Sequence, residues 1–175
     1  MPADALIVIA IQNFFTSSTL GELVAVFLAR FWIFAFVPFL AWLWVYGTKK
    51  DQHAVKEALW SAGLAILIAE LLALTFLRFR PFLAFQQILV LIPPPLTSSF
   101  PSIHTAISSA ISSALYLADR RLGLLGLFIL LGVAIGRMAA GVHFPTDILG
   151  GLFVGMASFI IVRLGHRALR KNNNK

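Results

Sequence analysis

Long apolar runs separated by short polar segments make up most of the chain. A helix that crosses a bilayer needs roughly 20 predominantly apolar residues, and five runs approach or exceed that length. We predict membrane-spanning helices over these ranges: residues 20–46, 58–77, 102–117, 122–140 and 146–164. The pattern therefore predicts an all-α integral membrane protein, built as a helical bundle of five clear transmembrane helices.

The first 18 residues have a different pattern from the five long runs. Most positions are apolar, but polar side chains occur at Gln12 and Asn13, and the segment ends in the polar residues 16–18. A segment of this kind favours an N-terminal interfacial or re-entrant helix at the membrane surface over a sixth span.

Residues 81–101 lack the pattern of a regular helix. This stretch contains three consecutive prolines at 93–95 and two serines at 98–99, and proline interrupts a helix interior. We predict an ordered loop at the membrane face. Pro145, in contrast, suits the first turn of the last helix, where its missing N–H has no partner to lose.

The composition agrees with a membrane protein. Hydrophobic residues make up 59% of the chain, charged residues only 12%, and the mean hydropathy is +0.90. We predict one membrane domain over residues 1–175, with the chemical motifs in residues 78–151. The absence of cysteine excludes disulfides and thiolate chemistry. A net charge of +7 in so apolar a chain indicates basic loops rather than a nucleic-acid partner, and nothing specifies an oligomeric state.

The basic residues predict how the chain is oriented. Ten of the fourteen lysines and arginines lie in three segments that alternate correctly to share one face: Lys49, Lys50, Lys56, Arg120, Arg121, Arg163, Arg167, Arg170, Lys171 and Lys175. The positive-inside rule makes that face, and with it the C-terminus, cytoplasmic. Arg78, Arg80 and Arg137 lie near the opposite face, where the rule gives no reason for them.

Three more ionisable residues fall within predicted spans, where a charge is costly and is usually paired or functional. Arg30 could pair with Glu22 or Glu70 inside the bundle, and we favour this structural pairing over a proton or ion pathway.

Three polar clusters meet at the face opposite the basic loops. They are Arg80-Pro81, the segment Pro101-Ser102-Ile103-His104, and residues 137–147. Together they supply cations, a hydroxyl, two histidines and a carboxylate, the groups needed for phosphoryl transfer through a covalent histidine intermediate. Each cluster alone also fits a structural role, because histidines and carboxylates cap helices and arginines anchor at membrane surfaces.

The order and internal spacing of these clusters identify a resemblance. Arg137-x5-His143-x3-Asp147, preceded by Pro-Ser-x-His and by Arg-Pro, resembles the type 2 phosphatidic acid phosphatase (PAP2) superfamily over residues 80–151. It is especially similar to small bacterial members that dephosphorylate undecaprenyl diphosphate or glycerophospholipid phosphates. The resemblance implies a lipid phosphatase of the bacterial inner membrane, with an extracytoplasmic active site, a lipid phosphate substrate in the bilayer, and no metal or other cofactor.

The resemblance also implies the catalytic roles. His143 would be the nucleophile that forms a phosphohistidine, and Asp147 would hold its other ring nitrogen. Residues four apart at a helix start can share a face, which agrees with that pairing. His104 would be the general acid that protonates the leaving oxygen. The implied substrate is undecaprenyl diphosphate, with phosphatidylglycerophosphate, phosphatidate and lipid A phosphate as alternatives.

The phosphate-binding residues follow from the same resemblance. Arg80 and Arg137 would clamp the phosphate oxygens, because guanidinium offers several fixed donors and keeps its charge. Ser102 would add a hydroxyl donor, and the backbone at Ile103 would approach the phosphate at the start of a helix.

Three positions depart from the family pattern. The family's lysine, seven residues before the arginine of Arg-Pro, is Ala73 here; its glycine between serine and histidine is Ile103; and a serine is replaced by Gly136. We predict that Arg78 supplies the missing charge. The departures keep open a catalytically weak relative that binds or transports phospholipid, and the charges within the spans keep open a small transporter.

Overall fold

A computed structural model describes residues 1–93 and 97–173, and within them all regular structure is helical. The side chains from residue 170 onward lie outside this description. The elements are α1 (Ala3–Thr16), α2 (Thr19–Arg30), a 3₁₀ turn (Trp32–Ala35), α3 (Phe36–Tyr46), α4 (Lys49–Thr75), α5 (Pro81–Ala84), α6 (Ile103–Ala118), α7 (Arg120–Ala139) and α8 (Pro145–Asn173).

Three helices are long and apolar enough to cross a membrane: α4, α7 and residues Pro145–Leu169 of α8. The bent pair of α2 and α3 would make a fourth span if both halves are counted together, while α1 and α6 are shorter apolar helices. The all-helical, multi-pass membrane architecture is confirmed among the described residues. The count of five spans stays a prediction.

The prediction of one continuous helix over residues 20–46 is wrong. The chain bends by 58° between α2 and the helical segment that follows, with the 3₁₀ turn at the break. Pro38 lies in the first turn of α3, and its ring leaves no N–H for the carbonyl of Phe34. Pro38 therefore disfavours regular α-helical bonding next to the 3₁₀ turn, although the bend itself lies seven residues earlier, at Phe31, and both halves are apolar.

The charged segment 49–57, which the predicted spans 20–46 and 58–77 leave between them as a connector, is the first part of α4. Thr48 and Asp51 form a capping box: Asp51 Oδ2 accepts from the Thr48 N–H at 2.8 Å, and Thr48 Oγ1 accepts from the Asp51 N–H at 3.3 Å. The helix can begin outside the apolar run because its end is capped. The last helix likewise extends beyond residue 164 to Asn173.

Helix α6 occupies the centre of the bundle and packs against α4, α7 and α8. Small buried residues line its contacts with α4: Ala65, Ala69, Ala106 and Ala110. Small side chains let helix backbones approach closely in a membrane. The same reasoning explains Gly136, because a Cβ there would lie 2.5 Å from the backbone of Ala29 on α2, so the family's serine does not fit this packing.

The predicted pairing of Arg30 is wrong. Arg30, Glu22 and Glu70 are all exposed, and no ion pair joins them in the described part of the chain. Arg30 instead lies 5.5 Å from the ring centre of Phe31. The bend after Arg30 places its side chain on the outside of the bundle, where lipid headgroups or water can solvate it.

The N-terminal helix is fixed to the bundle by Gln12. Its buried amide donates to the carbonyls of Leu89 at 2.8 Å and Ala139 at 3.1 Å, and it accepts from the Leu89 N–H at 2.8 Å. Helix α1 thereby covers the loop that precedes α6. Among the described residues of that predicted loop, only α5 is helical. Residues 94–96 of the loop and residues 174–175 of the basic tail are not among the described residues.

Candidate active site

Four chain segments converge at the end of the bundle opposite the capped start of α4. These are the loop after α4, the start of α6, the end of α7 and the start of α8. Arg80 and Arg137 each contact His143 there, and Asp147 lies next to the same histidine. The structure therefore brings together the three clusters that the sequence separates by up to 67 positions.

His143 lies in the turn between α7 and α8 and is only 3% exposed. Gly141 makes this turn possible, because its φ of +72° is a conformation that favours glycine. The Nδ1 atom of His143 lies 2.8 Å from the carbonyl oxygen of Ser99. A carbonyl can only accept, so a neutral His143 carries its hydrogen on Nδ1 and leaves Nε2 with a free lone pair.

Two guanidinium groups face that Nε2 atom. Arg80 Nη1 and Arg137 Nη2 each lie 3.4 Å from it, at the long end of the hydrogen-bond range. Both arginines are buried, at 4% and 3% exposure. Contacts this long leave the donors able to shift to a better acceptor, such as a phosphate group placed against Nε2.

Arg80 is held rigidly by backbone carbonyls. Its guanidinium donates to Val142 at 3.0 Å, Ser98 at 3.0 Å and Thr97 at 3.1 Å. These bonds fix the plane of the group, so that the Nη1 edge points at His143. Burial lowers the pKa of Arg80, while the Asp147 carboxylate raises it.

Arg137 has a buried donor that is not used. Its Nη1 donates to the carbonyl of Ala29 at 3.2 Å, but its Nε has no hydrogen-bond partner among the described residues. Buried donors without a partner are rare because they cost free energy, and an anionic ligand is a natural acceptor. Arg137 therefore has both a charge and a free N–H for a substrate oxygen.

Burial is the main influence on the titration of His143. It lowers the pKa of this imidazole to about 4; the neighbouring Asp147 carboxylate raises the pKa, and the charges of Arg137 and Arg80 lower it. The ring is thus neutral at physiological pH. A neutral ring with its hydrogen on Nδ1 is the form that can act as a nucleophile through Nε2.

Asp147 has other partners than the sequence predicts. Its nearest oxygen, Oδ2, is 3.7 Å from His143 Nδ1, beyond hydrogen-bond distance, because the carbonyl of Ser99 takes that nitrogen. Asp147 is fully buried and accepts from the Ser99 hydroxyl, the Phe144 N–H at 2.8 Å and Arg78 at 2.6 Å. Asp147 therefore positions Ser99, whose carbonyl accepts from His143, and makes no hydrogen bond to the imidazole.

Arg78 lies behind this carboxylate. Its Nη1 donates to Asp147 and to the Thr146 hydroxyl, each at 2.6 Å, and its Nη2 donates to Asp4 of α1 at 2.9 Å. The guanidinium also lies 4.5 Å from the ring centre of Phe144. The carboxylates of Asp147 and Asp4 thus both pair with the Arg78 guanidinium, which we predicted would bind phosphate.

The start of α6 supplies the remaining predicted residues. Ser102 is fully buried, accepts from the Thr105 hydroxyl at 3.0 Å, and keeps its own hydroxyl hydrogen for another acceptor. The side chain of Ile103 packs into the apolar cluster between α4 and α6, so its branched side chain turns away from the turn that carries His143. His104 lies within electrostatic range of Arg137, His143 and Arg80.

Two residues of this site were missed by the sequence analysis. Ser99 is part of a serine pair that we interpreted only as loop, although a polar pair directly before Phe-Pro-Ser-x-His was a usable signal. Asp4 lies 74 positions from Arg78 in an apolar helix, and no local pattern connects the two. Only the docking of α1 onto the loop brings Asp4 into the site.

Comparison with known proteins gives a consistent result. The model of a family described as the PAP2 superfamily matches residues 54–171. The undecaprenyl-diphosphatase BcrC of Bacillus subtilis is 29% identical over 84% of this chain and 76% of its own length. The bacitracin transport permease protein BcrC of Bacillus licheniformis is 27% identical over 79% and 68%. The crystal structure of LpxE from Aquifex aeolicus superposes with a TM-score of 0.77 at 22% identity, over 93% of this chain and 95% of that one.

Proposed function

Because this chain belongs to the PAP2 superfamily, we propose that it is a membrane lipid phosphatase that hydrolyses undecaprenyl diphosphate to undecaprenyl phosphate. The family match covers more than half of the chain and confirms the membership that the motifs predict. The choice of lipid rests on the relative named as an undecaprenyl-diphosphatase. Phosphatidylglycerophosphate, phosphatidate and lipid A phosphate are the alternative substrates.

One observation carries the chemical part of this proposal. A buried, neutral histidine points its free Nε2 at two buried guanidinium groups, one of which has an N–H without a partner. An acceptor for these donors that also reacts with a nucleophilic nitrogen must be an anionic electrophile. A terminal phosphate group satisfies both requirements.

The reaction proceeds in two displacements. His143 Nε2 attacks the terminal phosphorus, the P–O bond to the lipid phosphate breaks, and His104 gives its proton to the leaving oxygen. Water then attacks the phosphohistidine while His104 takes a proton from it, which releases inorganic phosphate and restores both histidines. Arg80, Arg137 and the Ser102 hydroxyl stabilise the charge on the equatorial oxygens in both steps, and no step needs a metal.

Arg78 acts as a positioning residue in this scheme. It neutralises the buried Asp147, whose carboxylate fixes the Ser99 segment and hence the carbonyl on His143 Nδ1. In this scheme, contrary to the prediction from the sequence, Arg78 does not replace the phosphate-binding lysine that is missing at Ala73. Ala73 is buried in α4 and lies four and eight residues beyond Ala69 and Ala65, on the face that packs against α6.

The site and the basic loops lie at opposite ends of the bundle. We therefore propose five spans, an active site at the extracytoplasmic face of the bacterial inner membrane, and a cytoplasmic C-terminus. Helix α1 lies over the site as an interfacial helix. The lipid tail stays in the outer leaflet while the diphosphate reaches His143, and the whole chain acts as one domain.

The activity is tested by phosphate release from a panel of lipid phosphates. Purified protein in detergent, with a strong chelator present, should release phosphate fastest from undecaprenyl diphosphate. A preference for one of the alternative lipids would show that the protein is a lipid phosphatase with a different substrate. Tight binding of the lipids without any release of phosphate would favour the catalytically weak relative and contradict the proposed enzyme.

The orientation is tested by labelling introduced cysteines, since the chain contains none. Leu89→Cys, at an exposed position in the loop before α6, should react with a membrane-impermeant maleimide added to intact cells. Lys50→Cys, at an exposed position on α4, is the matched control and should react only after the cells are opened. The reverse pattern would show that the active site faces the cytoplasm.

The role of Arg78 is tested by comparing two arginine variants. Arg78→Gln should slow single-turnover phosphate release by about 10-fold, because one charged hydrogen bond to Asp147 is lost. Arg80→Gln should slow it by ~10²–10³, because a donor to the transition state is lost. Adding Ala73→Lys to Arg78→Gln should not restore the rate. Equal loss in both variants, with rescue by the lysine, would mean that Arg78 binds the phosphate.

A further inference from the structure

A second cluster of ionisable side chains lies at the opposite end of the bundle from His143. It consists of His53 and Glu57 near the start of α4 and His166 near the end of α8, and we call it the His53 cluster. His53 and Glu57 are four residues apart on α4, whereas His166 is 109 positions beyond Glu57 and meets them only because α4 and α8 pack together. The proposed phosphatase reaction makes no use of them.

The spacing of the donor atoms suits a metal ion. Glu57 Oε1 lies 3.5 Å from His53 Nε2 and 3.6 Å from His166 Nδ1, and all three ligand atoms lie within 4.8 Å of one another. Ligands about 2.1 Å from a tetrahedral zinc ion are about 3.4 Å apart. Two of the three edges are close to that length, and the third is no longer than 4.8 Å.

The carboxylate of Glu57 is oriented for this role. Glu57 is 4% exposed, and its Oε2 accepts from Arg163 Nη1 at 3.0 Å. This hydrogen bond leaves Oε1 directed at the two imidazoles. Partners on the second oxygen of a ligating carboxylate are typical of protein metal sites, because they fix the orientation of the first oxygen.

The environment of His166 points to a ligand as well. Its Nδ1 is buried and has no hydrogen-bond partner in the described part of the chain, although it faces the carboxylate. No protein group donates to this nitrogen, so it can ligate a cation in the tautomer that carries the ring hydrogen on Nε2. A cavity of 260 Å³ beside the two histidines, lined also by Lys56, Trp60 and Leu169, has room for water as a further ligand.

We propose that His53, Glu57 and His166 bind one divalent transition-metal ion, of which zinc is the best match, and that this ion joins the start of α4 to the end of α8. Two imidazoles and one carboxylate suit zinc and its first-row neighbours rather than calcium or magnesium, which prefer oxygen ligands alone. The ion has a structural role. It lies at the end of the bundle away from the nucleophile, so it takes no part in the proposed phosphatase reaction.

The test uses the full chain purified in detergent without a histidine-containing tag and stripped with chelator. Equilibrium dialysis against Zn²⁺ near pH 7.5 should give about one ion per chain. Bound Co²⁺ should show the intense visible absorption of a low-symmetry, four- or five-coordinate site. Saturating Zn²⁺ should raise the Tm by about 5 °C, because the ion binds the folded chain preferentially.

Variants assign the binding to the cluster. His53→Gln and His166→Gln, whose side chains are 37% and 30% exposed and tolerate replacement better than the buried Glu57, should each weaken Zn²⁺ binding at least about 10-fold and abolish the Tm increase. His104→Gln, which removes a histidine elsewhere, is the matched control and should still bind one ion. Absence of stoichiometric Zn²⁺ or Co²⁺ binding by the wild type would overturn the proposal, as would equal binding by all three variants. Because the readouts are metal content, spectrum and Tm, a failed phosphatase assay leaves this result unaffected.

Discussion

His143→Ala should reduce phosphate release from undecaprenyl diphosphate by more than ~10⁴-fold, the scale expected when the nucleophile of a covalent mechanism is removed. The structure offers no substitute, since the side chains that approach Nε2 among the described residues are arginines, which cannot act as nucleophiles. The measurement is single-turnover release of phosphate from lipid in detergent, on protein whose membrane yield and Tm have been compared with the wild type.

A control must separate lost chemistry from lost folding, because His143 is buried. Ser158→Ala removes another buried polar side chain, one whose hydroxyl donates to the Val154 carbonyl of its own helix. It should keep near-normal turnover and a similar Tm. Normal turnover in His143→Ala would reject the nucleophile, whereas a large loss of Tm in that variant would require the comparison to be repeated with His143→Gln.

Arg137→Gln should slow turnover by ~10²–10³, or about 3–4 kcal/mol of transition-state stabilisation. The variant removes a charge that faces Nε2 and the buried Nε that has no partner in the described structure. The loss should fall mainly on kcat, because the charge on the phosphoryl oxygens interacts most strongly with these donors in the transition state. Steady-state kinetics over a range of lipid concentration measures both parameters.

Arg121→Gln is the matched control for Arg137→Gln. Arg121 lies on the same helix, α7, but is exposed at its other end, so its replacement should change kcat less than about 2-fold. Arg137→Lys adds a finer test: a lysine keeps the charge but loses the planar fork, and we expect it to recover only part of the rate. Full activity in both Arg137 variants would show that this buried residue has only a structural role.

The sequence predicted the residues of the site better than their contacts. His143 and Asp147 are four apart at a helix start, and Arg137 precedes them on the adjoining helix, so short-range spacing was enough to place them together. The orientation rule then grouped them with Arg80. The structure confirms that these residues lie together, because their spacing depends on helix geometry, a local property of the chain. Their catalytic roles and the side of the membrane stay predictions.

The contacts that orient His143 could not be predicted in the same way. The acceptor on Nδ1 is a backbone carbonyl, at Ser99, and every residue has one. Likewise, we predicted that Arg78 supplies the charge missing at Ala73. Nothing in the sequence shows that Asp4 of the N-terminal helix docks beside Arg78 instead. Such partners are chosen by how the loop before α6 and α1 pack, which is a property of the tertiary structure.

Helix boundaries failed for two local reasons. The bend in the first apolar run lies between Arg30 and Trp32, where the 3₁₀ turn begins, and hydropathy does not register it because both halves are apolar. The start of α4 was interpreted as a connector because it is charged, although the capping pair Thr48 and Asp51 was visible in the sequence. In both cases backbone hydrogen bonding, not the distribution of apolar residues, decides where the helix begins.

The central claim is that His143 accepts a phosphoryl group from a lipid diphosphate. Purified protein should be mixed with undecaprenyl diphosphate labelled in its terminal phosphate, quenched within milliseconds, and digested for mass spectrometry. We predict label on the peptide that contains His143, bound in an acid-labile and base-stable form, at a level that rises and then falls as free phosphate appears. Phosphate release without any labelled His143, or label on a different residue, would contradict the account.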